Sequence, residues 1–277
     1  FISIGSPVSG TTLASYSDDN IIYTGDGVGT FTGADYETFG WHNTYWYDEG
    51  AADGVMNNGF TKATTTTQAV GVSNSYKAFH IYTDAVTYNL DVTGVPNTGI
   101  VNVPLNYDGG FAANQAGWNL IANPYPCTID WESIHGGGLG TLIDGYFVYN
   151  DGLSNYDYYD GGANTGLVAA TQFIPHTQGF WVRSIGLTTL VITEADKNTT
   201  DQAFYKSSST NVMRIGLAGG VNTFGDAAVL IEGSNYTANY DADLDVQKFT
   251  TLDPDNAPSL YMVTPDGYDV CFNKIPS

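Results

Sequence analysis

Basic side chains are scarce. The 277 residues hold 8 Lys and Arg against 29 Asp and Glu, a formal charge of -21. Neutralising a phosphate backbone takes clustered Lys and Arg. No such cluster exists here, which excludes nucleic acid and anionic lipid surfaces as partners. No apolar run reaches the length that spans a bilayer, so no direct membrane insertion is expected. No window repeats apolar residues at helical spacing for three turns. Cysteine is limited to Cys127 and Cys271, and neither sits in a CxxC or Cys/His metal pattern. In an oxidising compartment the two either bridge, a closure worth about 4–5 kcal/mol in the chain-entropy picture, or stay as unlinked buried thiols. His42, His80, His135 and His176 form no HxH, HxxxH or HExxH spacing, and no GxSxG elbow is present. With no motif that specifies a reaction, the chain reads as non-catalytic.

What is abundant points to strands. Gly (33), Tyr (20) and an aromatic share of 14% against 13% charged residues, with frequent Thr, Asn and Val, favour strands and tight turns. The fold class is all-β. The stretch from Gly117 to Trp131, GWNLIANPYPCTIDW, organises the rest. Trp118, Leu120 and Ile121 read as a buried strand, halted by Asn123-Pro124-Tyr125-Pro126, because two closely spaced prolines confine the chain to a strand end or sheet edge. A second short apolar run, Ile129-Asp130-Trp131, follows.

The plan repeats. Ser6-Pro7-Val8 answers Asn123-Pro124-Tyr125. The segment 43–50 (NTYWYDEG) answers 145–152 (GYFVYNDG), and Ala78-Phe79-His80-Ile81 answers Gly179-Phe180-Trp181-Val182. Each block closes on a Thr-rich strand, Thr87–Thr93 in the first and Thr188–Thr193 in the second. Matched landmarks in one order are the mark of an internal repeat. After residue 198 the character changes, and four alternating strands are expected at Val212–Leu217, Ala227–Glu232, Ser259–Thr264 and Tyr268–Asn273. The expected organisation is two related β-sandwich, jelly-roll-like units in tandem, 1–112 and 113–203, and a third β unit, 204–277. Four strands leave open edges. The third unit is therefore expected to be completed by residues beyond 277 or by another chain. Phe1 begins in mid-strand with no initiator Met and no signal peptide, as expected of a piece cut from a longer protein.

These landmarks resemble a family of large surface and secreted proteins of Bacteroidetes that leave the cell through the type IX secretion system and end in a C-terminal sorting domain. The resemblance rests on Ser-Pro-Val-Ser-Gly (6–10), on GWNLIANPYP-x-x-IDW (117–131), and on Gln178-Gly179-Phe180-Trp181-Val182 after a proline. It continues in Tyr240-Asp241-Ala242 with Lys248, and in the ending from Tyr268 to Pro276. It implies an extracellular or cell-surface location, β-sandwich modules, and a part in adhesion or gliding. The partners it implies are other copies of the chain or other surface proteins. Cys127 stands where the family commonly has Ser, and the sorting domain itself is missing from this sequence.

Two groups of residues are ligand candidates. Asp241, Asp243 and Asp245, if extended, place three carboxylates on one side, a cluster that is either a solvated acidic loop or a calcium (Ca2+) site of oxygen ligands. Trp46, Tyr156, Tyr158 and Tyr159 either fill the core or form a platform on which glycan rings stack. The first reading of the whole is a non-catalytic structural or adhesive module of an exported surface protein. The alternative is a carbohydrate-binding module of a secreted polysaccharide-degrading protein.

Overall fold

The computed structural model describes residues 1–20, 22, 42–52, 56–71, 76–82, 90–109, 116–136, 140–150, 155–159, 170–203, 212–218, 225–233, 237–241, 245–248 and 259–276. The chain is all-β and sandwich-like, and forms two compact units. The first comprises Phe1–Ile143 and Gln172–Phe204, the second Asp144–Thr171 and Tyr205–Ser277. Segments on both sides of residue 112 thus fold together in the first unit.

In the first unit the strands are β1 (Ile2–Ile4), β2 (Thr44–Tyr47), β3 (Phe60–Lys62), β4 (Phe79–Ile81), β5 (Val101–Leu105), β6 (Trp118–Ala122) and β7 (Thr128–Asp130). A short helix, α1 (Trp131–Gly136), follows. In the second unit lie β8 (Tyr146–Asn150) and β9 (Asn155–Tyr159), after which the chain returns to the first with β10 (Phe173–Ile174), β11 (Gly179–Arg183), β12 (Thr188–Ile192) and β13 (Lys197–Asn198). The second unit ends with β14 (Val212–Ala218), β15 (Gly225–Gly233), β16 (Val246–Gln247), β17 (Met262–Val263) and β18 (Asp269–Pro276).

The first unit holds an antiparallel sheet in the order β1-β4-β2-β3. Beside it are the pairs β6–β11 and β5–β12 and the small sheet β10-β7-β13. All five residues of β6 are buried, which is what a near-continuous apolar run requires when both faces of a strand are covered. The strand begins at Gly117 because only glycine fits there. Its φ is 84°, and a Cβ would fall 1.7 Å from the Ser184 carbonyl oxygen. One core gathers Ile2, Ile4, Leu13, Tyr16, Trp46, Val70, Phe79 and Ile81. Tyr16 meets the Phe79 ring edge-on and Trp46 lies 5.6 Å from it. Trp131 meets Phe180 edge-on in the same way.

Helix α1 departs from the strand reading of residue 131. The prolines at 124 and 126 lie far enough upstream to leave its first turn free, and Asp130 Oδ1 accepts from the Glu132 N–H, 3.1 Å, as an N-terminal cap does. Of the Thr-rich segment 87–93, the described part, Leu90–Thr93, is not a strand, and Thr87–Asn89 lie outside the described residues. Its counterpart at Thr188–Ile192 is β12. Its partner β5 alternates buried and exposed residues along Val-Asn-Val-Pro-Leu, and Pro104 is tolerated because the two-stranded sheet leaves edges on both sides.

The second unit contains the hairpin β8–β9 and a sheet in the order β14-β15-β18-β16, with β17 also beside β18. β15 and β18 run parallel and the other pairings are antiparallel. The final strand is therefore interior, flanked by β15 on one side and by β16 and β17 on the other. Among the described residues β14 is an edge strand of this sheet.

Candidate functional site

A set of buried polar side chains in the first unit surrounds the Pro-capped stretch. Asn123 is fully buried. Its Nδ2 donates to the carbonyls of Cys127 (2.8 Å), Ile174 (3.0 Å) and Pro175 (3.0 Å), while its Oδ1 accepts from the Tyr125 N–H at 2.9 Å. Asn97 Nδ2 donates to the Ser6 and Pro124 carbonyls, 3.4 and 2.9 Å, and so joins the two Pro-capped segments. Tyr125 donates its hydroxyl to the carbonyls of Gly99 and Ile192. Its ring carries the Lys197 ammonium 4.2 Å from its centroid. Lys197 pairs with Glu194 at 2.6 Å, and Glu194 Oε1 accepts from the Gly99 N–H at 2.6 Å. Those two bonds hold the Glu194 carboxyl below its ordinary range. Burial, reinforced by Glu194 and Asp196, pushes the Tyr125 hydroxyl up to about 12.

The chemistry this cluster offers is fastening. Asn97, Asn123, Tyr125 and Glu194 spend donors or acceptors on backbone groups of other segments, which satisfies groups that are costly to bury unpaired. Cys127 lies within it, half-buried and free. Burial, the largest influence, pushes its thiol up, and Glu194 opposes the downward pull of Lys197. A thiol held in its protonated form is a poor nucleophile.

Glu49 fastens a second loop. Its carboxylate is 2% exposed, and Oε1 accepts from the N–H groups of Asp108 and Gly117, both at 2.8 Å. Arg183, also buried, donates from Nε to the Ala116 carbonyl at 3.2 Å and stands over the Trp118 ring. Ser3 Oγ lies 2.9 Å from His80 Nδ1, a Ser–His contact between residues 77 positions apart that no local motif could announce. Both are buried, and the Phe1 ring stacks on the imidazole at 4.8 Å with an interplanar angle of 2°.

The four residues proposed to stack on glycans do not form a platform. Trp46, Tyr158 and Tyr159 are 6%, 2% and 4% exposed, and a ring must show a face to solvent before a sugar can cover it. Trp46 packs against Phe79. Tyr158 stacks on Phe147 at 4.3 Å across the β8–β9 hairpin, flanked by the pairs Tyr146–Tyr159 and Tyr149–Tyr156. Cross-strand aromatic pairs stabilise a hairpin directly. Tyr156 alone of the four is half-buried.

Of the acidic candidates, Asp243 lies outside the described residues. Asp241 and Asp245 are hydrogen-bonded to each other. The Asp245 N–H donates to the Asp241 carbonyl at 2.7 Å, and the Asp245 carboxylate, fully buried, accepts from the Asp241 N–H at 2.8 Å. Among the described residues no group of three His, Cys, Asp or Glu is arranged to hold a metal ion. Lys248 instead pairs with Asp226, 2.6 Å to Oδ1, and both are largely buried. The Asp226 carboxylate also accepts from the Leu260 N–H. Nearby, burial pushes the Cys271 thiol up to about 12.

Sequence reasoning singled out the Asn123 stretch and missed Asn97, Glu49, Arg183 and the Asp226–Lys248 pair. Asn97 and Glu49 sit in runs that read as turn punctuation, Asn-Thr-Gly and Asp-Glu-Gly. Nothing local marks a turn residue whose partner is a distant loop. Compared with models of protein families, with curated proteins and with solved structures, the chain matches none.

Proposed function

We propose that this chain is a non-catalytic structural and adhesive module of a large exported bacterial surface protein, of the kind secreted through the type IX system. The single observation that carries the reading is how the polar side chains are used. Asn97, Asn123, Tyr125, Glu49 and Asp245 are buried or committed to backbone groups of their own chain, which makes the loops part of the frame. Such a frame spaces and displays. Its charge of -21 keeps the surface soluble where salt and divalent ions screen it. The partners are other copies of the chain or other surface proteins.

The test is retention under flow. Beads coated with the purified protein are expected to hold to bacterial surfaces, or to one another, at shear rates that release beads coated with a protein of equal charge. Release at the same shear would refute the adhesive role. Turnover of a soluble substrate that one side-chain substitution abolishes would refute the non-catalytic one.

A further inference from the structure

Two strand pairs of the first unit share one register once the landmark offsets are applied. In β1–β4, Ile4 opposes Phe79 and Ser3 opposes His80. In β6–β11, the residue 117 positions after Ile4 opposes the residue 101 positions after Phe79, for Ile121 faces Phe180 and Leu120 faces Trp181. The same offset links two backbone outliers. Among the described residues, the non-glycine residues at positive φ are Tyr76, at 56°, and Thr177, at 61°. That conformation costs a side-chain-bearing residue roughly 1–2 kcal/mol, so its recurrence just ahead of both β4 and β11 is a shared demand of the two segments.

Beyond these residues each pair reaches onto the other. Ile4 bridges Gln178, and Ile121 bridges Lys77. The Gly5 N–H donates to the Thr177 carbonyl and the Ala122 N–H to the Tyr76 carbonyl, both at 2.9 Å. Exchanging the two segments turns each of these contacts into the other, which is the property of an isologous, twofold interface.

On such an axis equivalent positions meet each other. A Cβ built on Gly5 would lie 2.2 Å from the Ala122 Cβ, and one on Gly179 would lie 2.8 Å from the Ala78 Cβ and as close to Ser3, 2.7 Å from its carbonyl carbon. Neither glycine is at positive φ, so close approach and not backbone conformation demands them. We infer that this seam is a pseudo-twofold interface with a steric code. The 5/78 segment carries Gly then Ala, and the 122/179 segment carries Ala then Gly. Unlike segments place one methyl in each gap. Like segments place two methyls in one gap, at 78 for the first and at 122 for the second, and clash there. The seam therefore accepts the complementary segment of its own chain and rejects its own kind. The inference does not depend on the function proposed above.

Thermal unfolding of the full chain tests it with four variants. Gly5→Ala is expected to lower the melting temperature by about 4–8 °C, or to prevent folding, from overpacking. Ala122→Gly is expected to cost about 2–4 °C. The exchange Gly5→Ala/Ala122→Gly is expected to recover most of the Gly5→Ala loss, because the methyl returns to the same gap from the other side. Gly216→Ala, where an added Cβ meets nothing within 4 Å, is the control and is expected to stay within about 2 °C of the parent. Gly5→Ala melting with the parent, or an exchanged pair no more stable than Gly5→Ala alone, overturns the inference.

Discussion

Acid should weaken this protein through one histidine well before its carboxylates are protonated. His80 is buried between strands, with Ser3 Oγ on Nδ1 and Phe1 stacked on its ring. Burial pulls the imidazole down to about 3. The unfolded chain, whose histidines titrate at about 6.5, then binds the extra proton, so stability is complete above that value and falls as the pH drops below it. The slope is about 1.4 kcal/mol per pH unit, which gives a loss of about 2 kcal/mol on going from pH 7.5 to 5.0. Urea unfolding at pH 7.5, 6.5 and 5.0 measures it against His80→Gln, which starts less stable and lacks the group. The other histidines are common to both proteins and cancel in the difference. The parent is expected to lose about 2 kcal/mol more than the variant over that range, and the His80 imidazole carbon resonance is expected to stay unshifted down to pH 5. Parallel losses in the two proteins, or a resonance that titrates near 6.5, would refute the reasoning.

Four further outcomes follow from the packing. Lys248→Met, which removes the ammonium from the largely buried Asp226 carboxylate, is expected to cost about 3–5 kcal/mol, and Lys248→Met/Asp226→Leu less than the sum of its parts, by urea unfolding in a double-mutant cycle. Asn123→Ala strips the donors from three buried carbonyls and is expected to cost roughly 3 kcal/mol, with faster proteolysis of the 123–127 and 172–176 loops as the second readout. Tyr158→Ala empties the stack on Phe147 and is expected to cost about 3–5 kcal/mol; loss of glycan binding at unchanged stability would contradict the core placement. A neutral-pH thiol reagent is expected to label Cys127, which is half-buried, before Cys271, which is buried and should react only after urea is added.

How far the sequence could be read depended on the range of the interaction. Of the strands that alternation predicts in the last segment, Val212–Leu217, Ala227–Glu232 and Tyr268–Asn273 overlap β14, β15 and β18, whereas of Ser259–Thr264 only Met262–Val263 is a strand, and Val246–Gln247 is too short for a period to announce it. A strand's own pattern, though, does not say who pairs with it. Alternation marks Tyr268–Asn273 as a strand, and only the fold sets β18 between β15, running parallel, and β16, running antiparallel. The aromatic candidates stay divided between core and platform in the sequence for a related reason. A Tyr-rich run has the same composition whether its rings face water or one another, and the opposing strand, not the run itself, decides it.

Composition and local pattern by themselves determined the β class, the short strands, the Pro-capped stops and the charge of -21, because each follows from backbone sterics within a few residues or from the residue count of the whole chain. Tertiary structure alone decided that Asn97, Asn123 and Glu49 hold loops, that Ser3 meets His80, and that Gly5 lies against Ala122. Those facts depend on which distant segments touch, and a hydrogen bond or a methyl contact acts only at the few ångströms that the finished fold brings about.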